Sequence, residues 1–208
     1  MSIPSPEILK LEVGPLQTNC YLVICPETRS TLLIDPGDEA DKILDAARHS
    51  SARIEQILLT HTHPDHIGAL RPVREATGAR VLAHRLDAEL LQKHGRFYGA
   101  QPDQIAHLLP DVRLEGGDQV SIGRLTGTVV HTPGHTPGSV TLNVADVLFT
   151  GDTLFAQGVG RTDLPGGNLE QLLDSIQRLF AFPDSYVIYP GHGPASTIGQ
   201  EKLDNPYV

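Results

Sequence analysis

The strongest constraint on this chain is a run of metal-binding side chains directly after an apolar segment, residues 54–60. Residues 61–66 read His-Thr-His-Pro-Asp-His, so four side chains that can bind a metal ion lie within six residues. If the apolar segment is a buried strand, the imidazoles of His61 and His63 point the same way, because the two residues are two apart in extended backbone. Pro64 then stiffens the turn toward the next helix. Such a loop can offer two ligands to one metal ion and two to a neighbouring ion.

Three other apolar segments end in the same way, with a ligand-type residue next to glycine. They are residues 125–131 before His135, residues 147–149 before Asp152, and residues 186–189 before His192. In sheet proteins, sites gather at the carboxyl ends of strands, because several strands can direct their loops to one point. Glycine beside each of these residues allows the backbone to approach closely. The sequence therefore predicts that the four loops meet at one metal-binding site.

The order of the predicted elements indicates an α/β fold. Strands are predicted at residues 7–13, 19–25, 31–34, 54–60, 80–84, 112–115, 119–122, 125–131, 140–144, 147–149 and 186–189. Helices are predicted from the apolar stripe Ala40, Ile43, Leu44 and Ala47, over residues 70–77, and after Asn168, which has Gln171 three residues later. Residues 85–110 are expected to be helical and irregular, and residues 151–167 to form a glycine-rich loop. Each half is a run of strands followed by a strand–helix–strand unit, which predicts two sheets packed face to face with helices outside. We expect a single domain over residues 1–208.

Composition and charge restrict the possible partners. Hydrophobic residues make up 39% of the chain, but no apolar run approaches the roughly 20 residues of a membrane helix. Residues 1–10 are polar and lack the pattern of a signal peptide, so we expect a cytoplasmic protein that does not bind a membrane. The net charge of −9 repels polyanions and the basic residues are scattered, so we expect no nucleic-acid partner. Cys20 and Cys25 are offset by an odd number of residues on one strand, so we predict buried, free thiols on opposite faces.

These motifs resemble those of the metallo-β-lactamase fold superfamily, in its glyoxalase II-like branch. The chain is similar in particular to the short bacterial hydroxyacylglutathione hydrolases. The matching segments are LIDPG at 33–37, HTHPDH at 61–66, TPGHTPG at 132–138, GDTLF at 151–155, GRTD at 160–163, PGHGP at 190–194 and the Asn205-Pro206 tail. The resemblance implies a four-layer αβ/βα sandwich of two mixed β-sheets flanked by helices.

The resemblance also implies a role for each residue of the predicted site. It assigns His61, His63 and His135 to one metal ion, and Asp65, His66 and His192 to a second ion. Asp152 is assigned to both ions. Asp35 fits the family position that hydrogen-bonds a ligand imidazole, and it also fits an ordinary aspartate of a Pro-Gly turn. We expect Asp65, Asp152 and Asp35 to be needed for catalysis. Nitrogen and carboxylate ligands without thiolate suit zinc, which we expect first, and also suit iron or manganese.

The implied activity is hydrolysis of S-D-lactoylglutathione or a related acylglutathione. Two metal ions about 3.5–4 Å apart can share a hydroxide that attacks the thioester carbonyl, while a metal ion stabilises the oxyanion. The leaving thiolate has a pKa of about 8.5 and needs no strong general acid. Full-length glyoxalase II adds a C-terminal helical domain, and it holds glutathione with a lysine and a tyrosine at the positions of Arg161 and Asp163. Arg161 is expected to bind a glutathione carboxylate, or else to pair with Asp163.

Other functions of the same fold remain open. Persulfide dioxygenases share the ligands and the Gly-Arg-Thr-Asp segment but use one iron ion, whereas the Pro-Gly-His-Gly-Pro ending favours the hydrolase. A lactonase would use the same metal chemistry. A β-lactamase is disfavoured by His66, a tRNA-processing ribonuclease by the net charge, and a non-enzymatic metal module by seven ligands that leave room for water. The sequence does not indicate the oligomeric state. The remaining histidines are interpreted as surface or structural residues, with His131 also able to support a ligand: His49, His84, His94, His107 and His131.

Overall fold

Two six-stranded mixed β-sheets form the centre of the computed structural model, which describes residues 5–94 and 108–208, apart from the side chains of residues 92–94. The strands of the first sheet are β1 (Glu7–Val13), β2 (Thr18–Ile24), β3 (Ser30–Ile34), β4 (Arg53–Leu58), β5 (Arg80–His84) and β6 (Val112–Leu114). They lie side by side in this order. Neighbours are antiparallel from β1 to β3 and parallel from β3 to β6.

The second sheet is built from later strands. They are β7 (Gln119–Ile122), β8 (Leu125–His131), β9 (Val140–Val144), β10 (Val147–Gly151), β13 (Val187–Pro190) and β14 (Ser196–Thr197). Their order is β14-β13-β10-β9-β8-β7, and the neighbours are antiparallel except β10 and β13, which are parallel. A separate hairpin consists of β11 (Leu154–Phe155) and β12 (Gly158–Val159). This hairpin lies within residues 151–167, where the sequence predicted a loop without strands.

Helices cover the outer face of each sheet. Those beside the first sheet are α1 (Ala40–His49), α2 (Pro64–Ile67), α3 (Leu70–Thr77) and α4 (Arg85–His94), and those beside the second are α5 (Leu169–Leu179) and α6 (Ile198–Asp204). The predicted four-layer αβ/βα sandwich is thus confirmed. Of the expected helical segment 85–110, α4 is present, whereas residues 95–107 with His107, and the side chain of His94, lie outside the described residues. None of the described helices is long and apolar enough to cross a membrane.

Side-chain caps begin both helices beside the second sheet. Asn168 accepts the N–H of Gln171 at 2.9 Å, which confirms the predicted start of α5. Thr197 accepts the N–H of Gln200 at 3.1 Å and begins α6, which the sequence prediction missed. The two pairs have the same spacing, so the signal for α6 was present in the sequence.

Strand β2 separates two apolar cores, because its successive side chains point to opposite faces. Cys20 packs with the helices that cover the first sheet, whereas Tyr21 and Cys25 face the second sheet. The ring of Tyr21 meets that of Phe149 edge to face, with centroids 5.3 Å apart. Burying an aromatic ring of this kind stabilises the fold by roughly 1.5–3 kcal/mol. Both thiols are buried and free, as predicted.

Hydrogen bonds join the two sheets at the edge where β2 begins and β13 ends. Asn19 donates from Nδ2 to the carbonyl of Pro190 at 2.9 Å and to that of Gly193 at 2.8 Å. The hydroxyl of Tyr21 donates to the same Pro190 carbonyl at 2.6 Å. Loops from both sheets are therefore held together at this edge.

The buried histidine His84 makes the stability of the fold depend on pH. It is 1% exposed, and its ring stacks on His131 with centroids 4.1 Å apart. Burial, the largest cause, lowers the pKa of His84 to about 4, whereas the pKa in an unfolded chain is about 6.5. Protonation therefore favours the unfolded chain, so the full stability is present above about pH 6.5 and is lost as the pH falls toward 4.

We expect His84→Phe, which keeps a stacking ring, to weaken this pH dependence. The difference in unfolding free energy between about pH 7 and about pH 5 should shrink by on the order of 1 kcal/mol. Urea unfolding of the metal-free protein at both pH values measures the difference. An equal difference in the variant and the unaltered protein would contradict the assignment.

Candidate metal centre

The residues predicted from the sequence to be metal ligands all lie at the edge where β2 begins and β13 ends, which joins the two sheets. They are His61, His63, Asp65, His66, His135, Asp152 and His192. The first four belong to the loop and short helix after β4, and the others to loops after β8, β10 and β13. Strand ends from both sheets therefore supply the site, which forms two adjacent clusters.

The first cluster consists of three buried imidazoles. The Nε2 atom of His135 lies 3.2 Å from Nε2 of His61 and 2.8 Å from Nδ1 of His63. Each of the three residues is less than 5% exposed. This cluster therefore presents three nitrogen atoms to one point, away from solvent.

The second cluster combines two imidazoles with a carboxylate. Nε2 of His66 lies 3.3 Å from Nε2 of His192, and Oδ2 of Asp65 lies 3.5 Å and 3.2 Å from these two nitrogen atoms. The side chain of His66 is fully buried, whereas those of His192 and Asp65 are 28% and 23% exposed. The site is therefore open to solvent on the side of the second cluster.

Asp152 lies between the two clusters. Its Oδ2 atom is 3.6 Å from Nε2 of His135 in the first cluster and 3.6 Å from Nε2 of His192 in the second. Its Oδ1 atom is 3.4 Å from Nε2 of His66. Gly191 makes room for this carboxylate, because a Cβ atom at that position would lie 2.2 Å from Oδ1. One carboxylate can thus reach both clusters.

Hydrogen bonds at the far ring nitrogen orient four of the five histidines. The acceptors of the Nδ1 protons are, in turn, Thr60 Oγ1 for His61 at 3.1 Å, Asp35 Oδ2 for His66 at 2.9 Å, the Arg161 carbonyl for His135 at 2.7 Å, and the Leu16 carbonyl for His192 at 3.1 Å. Carbonyl and carboxylate oxygens only accept, and the Thr60 hydroxyl already donates its proton to Asp35, so Nδ1 is the donor in each of these four rings. The Nε2 lone pair then faces the cluster, which is the tautomer that binds a metal ion.

The donor atoms fit divalent metal ions. Lone pairs that face one another at about 3 Å repel, unless a cation lies among them. The Oδ1 atom of Asp152 is buried and makes no hydrogen bond within the part of the chain that the structure describes. Imidazole nitrogen and carboxylate oxygen without thiolate suit zinc, iron or manganese. The site is therefore chemically complete for metal binding.

Burial keeps two of the histidines in the neutral form that binds metal, whereas neighbouring charges favour the protonated form of His66. Burial is the main cause that lowers the pKa of His61 and lowers the pKa of His63 to about 4, so both rings are neutral near pH 7. Burial also opposes a charge on Asp152, but the neighbouring charge of His66 outweighs it and lowers the pKa of this carboxyl. For His66 itself, burial is outweighed by the charges of Asp152 and Asp35, which raise its pKa. A proton on His66 would have to leave when a metal ion binds.

Asp35 lies behind His66, on the side away from the clusters. It is 1% exposed, and its carboxylate accepts the N–H of Thr60 at 2.8 Å and the hydroxyl of Thr60 at 2.6 Å, in addition to Nδ1 of His66. Its backbone is left-handed, with φ at 51°, a conformation that aspartate tolerates better than most residues. Asp35 therefore reaches the site through the ring of His66.

Arg161 contributes to the site by its backbone and forms an ion pair with its side chain. Its carbonyl accepts the Nδ1 proton of His135, as described above. Its Nε and Nη2 atoms each lie 2.7 Å from a carboxylate oxygen of Asp163, and both side chains are more than 60% exposed. The hydrogen bonds and charge of Arg161 lower the pKa of Asp163 to about 2. The internal pair, one of the two alternatives left open by the sequence, is thus present.

The other histidines whose side chains the structure describes, His49, His84 and His131, lie outside the clusters. His131, which stacks on His84, donates from Nε2 to the carbonyl of Pro137 at 2.9 Å and so supports the loop that carries His135. His49 is exposed at the end of α1.

Several contacts of the site could not be recognised in the sequence. Thr18 donates to Oδ2 of Asp65 at 3.1 Å. The carbonyls of Leu16 and Arg161 leave no sequence signal, because every residue has one. The hydrogen bonds that Asp87 accepts from Thr62 and Gly138 were not predicted either, because Asp87 is a single aspartate within a predicted helical segment.

Fold and site together define the class of protein. The family model of the metallo-β-lactamase superfamily matches residues 13–192 of the chain. The chain belongs to this superfamily and is a metallo-hydrolase of its fold.

Individual relatives indicate which members of the superfamily the chain is similar to. The hydroxyacylglutathione hydrolase GloC of Haemophilus influenzae is 33% identical over 211 residues, which cover 96% of this chain and 98% of GloC. The crystal structure of the BLEG-1 B3 metallo-β-lactamase has a TM-score of 0.86 at 35% identity, and covers 97% of this chain and 99% of its own. TTHA1623, in a di-iron-bound form, has a TM-score of 0.85 at 38% identity, with 96% and 100% covered. The similarity to GloC supports the glyoxalase II-like relation.

Removal of Asp152 should weaken metal binding more than removal of Asp35. Asp152→Ala takes away the carboxylate that both clusters share, so both should lose affinity. Asp35→Ala leaves every donor atom in place and should cost only about 10–100-fold in metal affinity. Elemental analysis after dialysis against graded chelator measures both losses, with about two metal ions per chain expected in the unaltered protein. Asp184→Ala, at an exposed carboxylate paired with Lys202, is the control and should change nothing. Equal losses in Asp35→Ala and Asp152→Ala would contradict these roles.

Proposed function

We propose that this protein is a thioester hydrolase that acts on S-D-lactoylglutathione or a related acylglutathione. The observation that carries the proposal is the position of Asp152 between two clusters of nitrogen and oxygen donors. Such a pair of sites is the usual basis of two-metal hydrolysis. The similarity to GloC over nearly the whole of both chains supports the choice of a glutathione thioester.

Two divalent metal ions are proposed as the cofactor, zinc first, with iron or manganese as alternatives. The first cluster would hold one ion and the second cluster the other, with Asp152 shared. The di-iron form of TTHA1623 supports iron as an alternative. When bound, the ions would lower the pKa of a water molecule and polarise the thioester carbonyl.

The residues of the chain would orient the reactants and hold protons away from the donors. Four Nδ1 protons are engaged by Thr60, Asp35 and two carbonyls, so Nε2 is the atom that each of those rings offers to a metal ion. Asp35 acts in this proposal as a positioning residue, since it touches His66 and not the open side of the site. A leaving thiolate with a pKa of about 8.5 departs without a strong general acid. Cys20 and Cys25 are enclosed in the apolar cores, so neither thiol is available as a nucleophile.

The substrate is expected to enter on the side of the second cluster. Asp65 and His192 are partly exposed there, whereas the first cluster is buried. The bidentate contact with Asp163 neutralises the charge of Arg161, so we expect only modest affinity for a glutathione carboxylate. Arg161 nevertheless retains Nη1, which does not take part in the hydrogen bonds with Asp163, as a donor for such a carboxylate.

The reaction can be tested against its rivals with one preparation of enzyme. We expect loss of thioester absorbance from S-D-lactoylglutathione under nitrogen, with D-lactate and glutathione as products and no oxygen uptake with glutathione persulfide. A lactone and a chromogenic β-lactam serve as further arms, the latter because of the similarity to BLEG-1. Rapid oxygen uptake with negligible thioester cleavage would overturn the hydrolase proposal in favour of a persulfide dioxygenase. Faster cleavage of the lactone or the β-lactam would redirect it to those substrates.

Arg161→Ala tests whether this side chain binds the substrate. We expect KM for S-D-lactoylglutathione to rise several-fold with kcat little changed, because the lost contact is made equally in the ground state and the transition state. A thioester of N-acetylcysteamine, which has no carboxylate, should show no change. Arg124→Ala is the matched control, since Arg124 is an exposed arginine paired with Glu27 at the opposite end of the sheets. An unchanged KM in Arg161→Ala would mean that Arg161 contributes to the site only through the contact of its backbone carbonyl with His135.

A further inference from the structure

A buried carboxylate on α4 lies behind the first cluster. Asp87 is 0% exposed, and its two oxygen atoms accept hydrogen bonds from two separate loops. Oδ2 accepts the N–H of Thr62 at 2.8 Å, and its distance to the hydroxyl of Thr62 is 3.3 Å. Oδ1 accepts the N–H of Gly138 at 2.7 Å. A single side chain thus connects two backbone positions that are remote in sequence.

These two positions belong to the loops that carry the first cluster. Thr62 stands between His61 and His63, and Gly138 follows His135 by three residues in the loop between β8 and β9. The contact with Gly138 is close, because a Cβ atom there would lie 2.5 Å from the backbone nitrogen of Asp87. The spacing between His61, His63 and His135 therefore depends on how Asp87 holds both loops.

A carboxylate enclosed in this way is costly unless its charge is met by donors. Backbone N–H groups that point at an ionised oxygen form short, strong hydrogen bonds, and both distances here are in that range. Asp35 holds the second cluster in a different way, through the ring of His66. Each cluster consequently has one buried carboxylate behind it.

We propose that Asp87 is the positioning residue of the first cluster: it fixes the loop of His61 and His63 against the loop of His135, and so sets the metal affinity of those three imidazoles. The inference rests on the proposed metal binding but not on the proposed substrate. A role in folding alone is the alternative, in which case loss of the carboxylate would lower stability without favouring one cluster over the other.

Asp87→Asn tests this role because it keeps the shape and replaces one acceptor with a donor. That amide would face the N–H of Thr62 or of Gly138. We expect the affinity for one of two equivalents of Co²⁺ to fall about 10–100-fold and the visible absorption spectrum of that equivalent to change, while the other equivalent is unaffected. In a His135→Ala background, which removes the first cluster, Asp87→Asn should cause no further loss.

Asp111→Asn is the matched control. Asp111 also accepts a backbone N–H, that of Val81 near the start of β5 at 2.8 Å, and pairs with Arg74, but it directly precedes β6, away from the ligand loops. Its variant is expected to lower the thermal midpoint of the metal-free protein without changing either Co²⁺ affinity. If Asp87→Asn does not fold, Gly138→Ala takes its place, because the added Cβ displaces the same loop from Asp87.

The outcomes separate the two roles. Loss confined to one Co²⁺ equivalent, and absent in the His135→Ala background, supports positioning of the first cluster. Equal loss at both equivalents, the same loss in Asp111→Asn, or no loss at either equivalent would each overturn it. Since the readout is metal binding, failure of thioester hydrolysis would leave the result unaffected.

Discussion

Repulsion between converging donor atoms is the constraint on which the rest of this structure depends. Nitrogen and oxygen atoms from seven side chains face one another at 2.8–3.6 Å, with their protons on the opposite ring nitrogen in four of the five histidines. A flexible chain would relax such an arrangement by turning the rings away. Here the rings are fixed from behind by carboxylates, carbonyls and a hydroxyl, and the loops are fixed by the ends of buried strands.

The stability that opposes this repulsion comes from elsewhere in the molecule. Among the described residues, three apolar cores hold the sheets and helices together, one between the sheets and one beneath each layer of helices. Metal binding removes the repulsion and adds its own free energy, so metal content and folding stability are linked. The polar edge of the sheets thus supplies the donor atoms for metal, whereas the apolar cores supply the stability that holds those atoms in position.

Much of the fold followed from the sequence where side-chain pattern alone decides structure. Strand β1, helix α3 and strands β7, β8 and β9 have the predicted bounds, because alternation or a helical stripe is interrupted there by clear turn residues. The convergence of the ligand loops also followed, since His135, Asp152 and His192 each lie in a loop that follows an apolar strand. The hairpin β11–β12 and helix α6 were missed, although Thr197 and Gln200 carry a capping signal. The contacts made by the carbonyls of Leu16 and Arg161, and by Asp87 with backbone N–H groups, could not be predicted, because they depend on chain positions that only the folded state brings together.

The hydrogen bond between His192 and the carbonyl of Leu16 links residues that are synthesised at very different times. His61, His63 and His135 leave the ribosome well before His192, so a nascent chain can assemble the three-imidazole cluster first. The cluster that contains a carboxylate forms only when β13 pairs with β10 and brings His192 to the hairpin that follows β1. The pairing of β13 with β10 and the assembly of the second cluster are therefore the same step in folding.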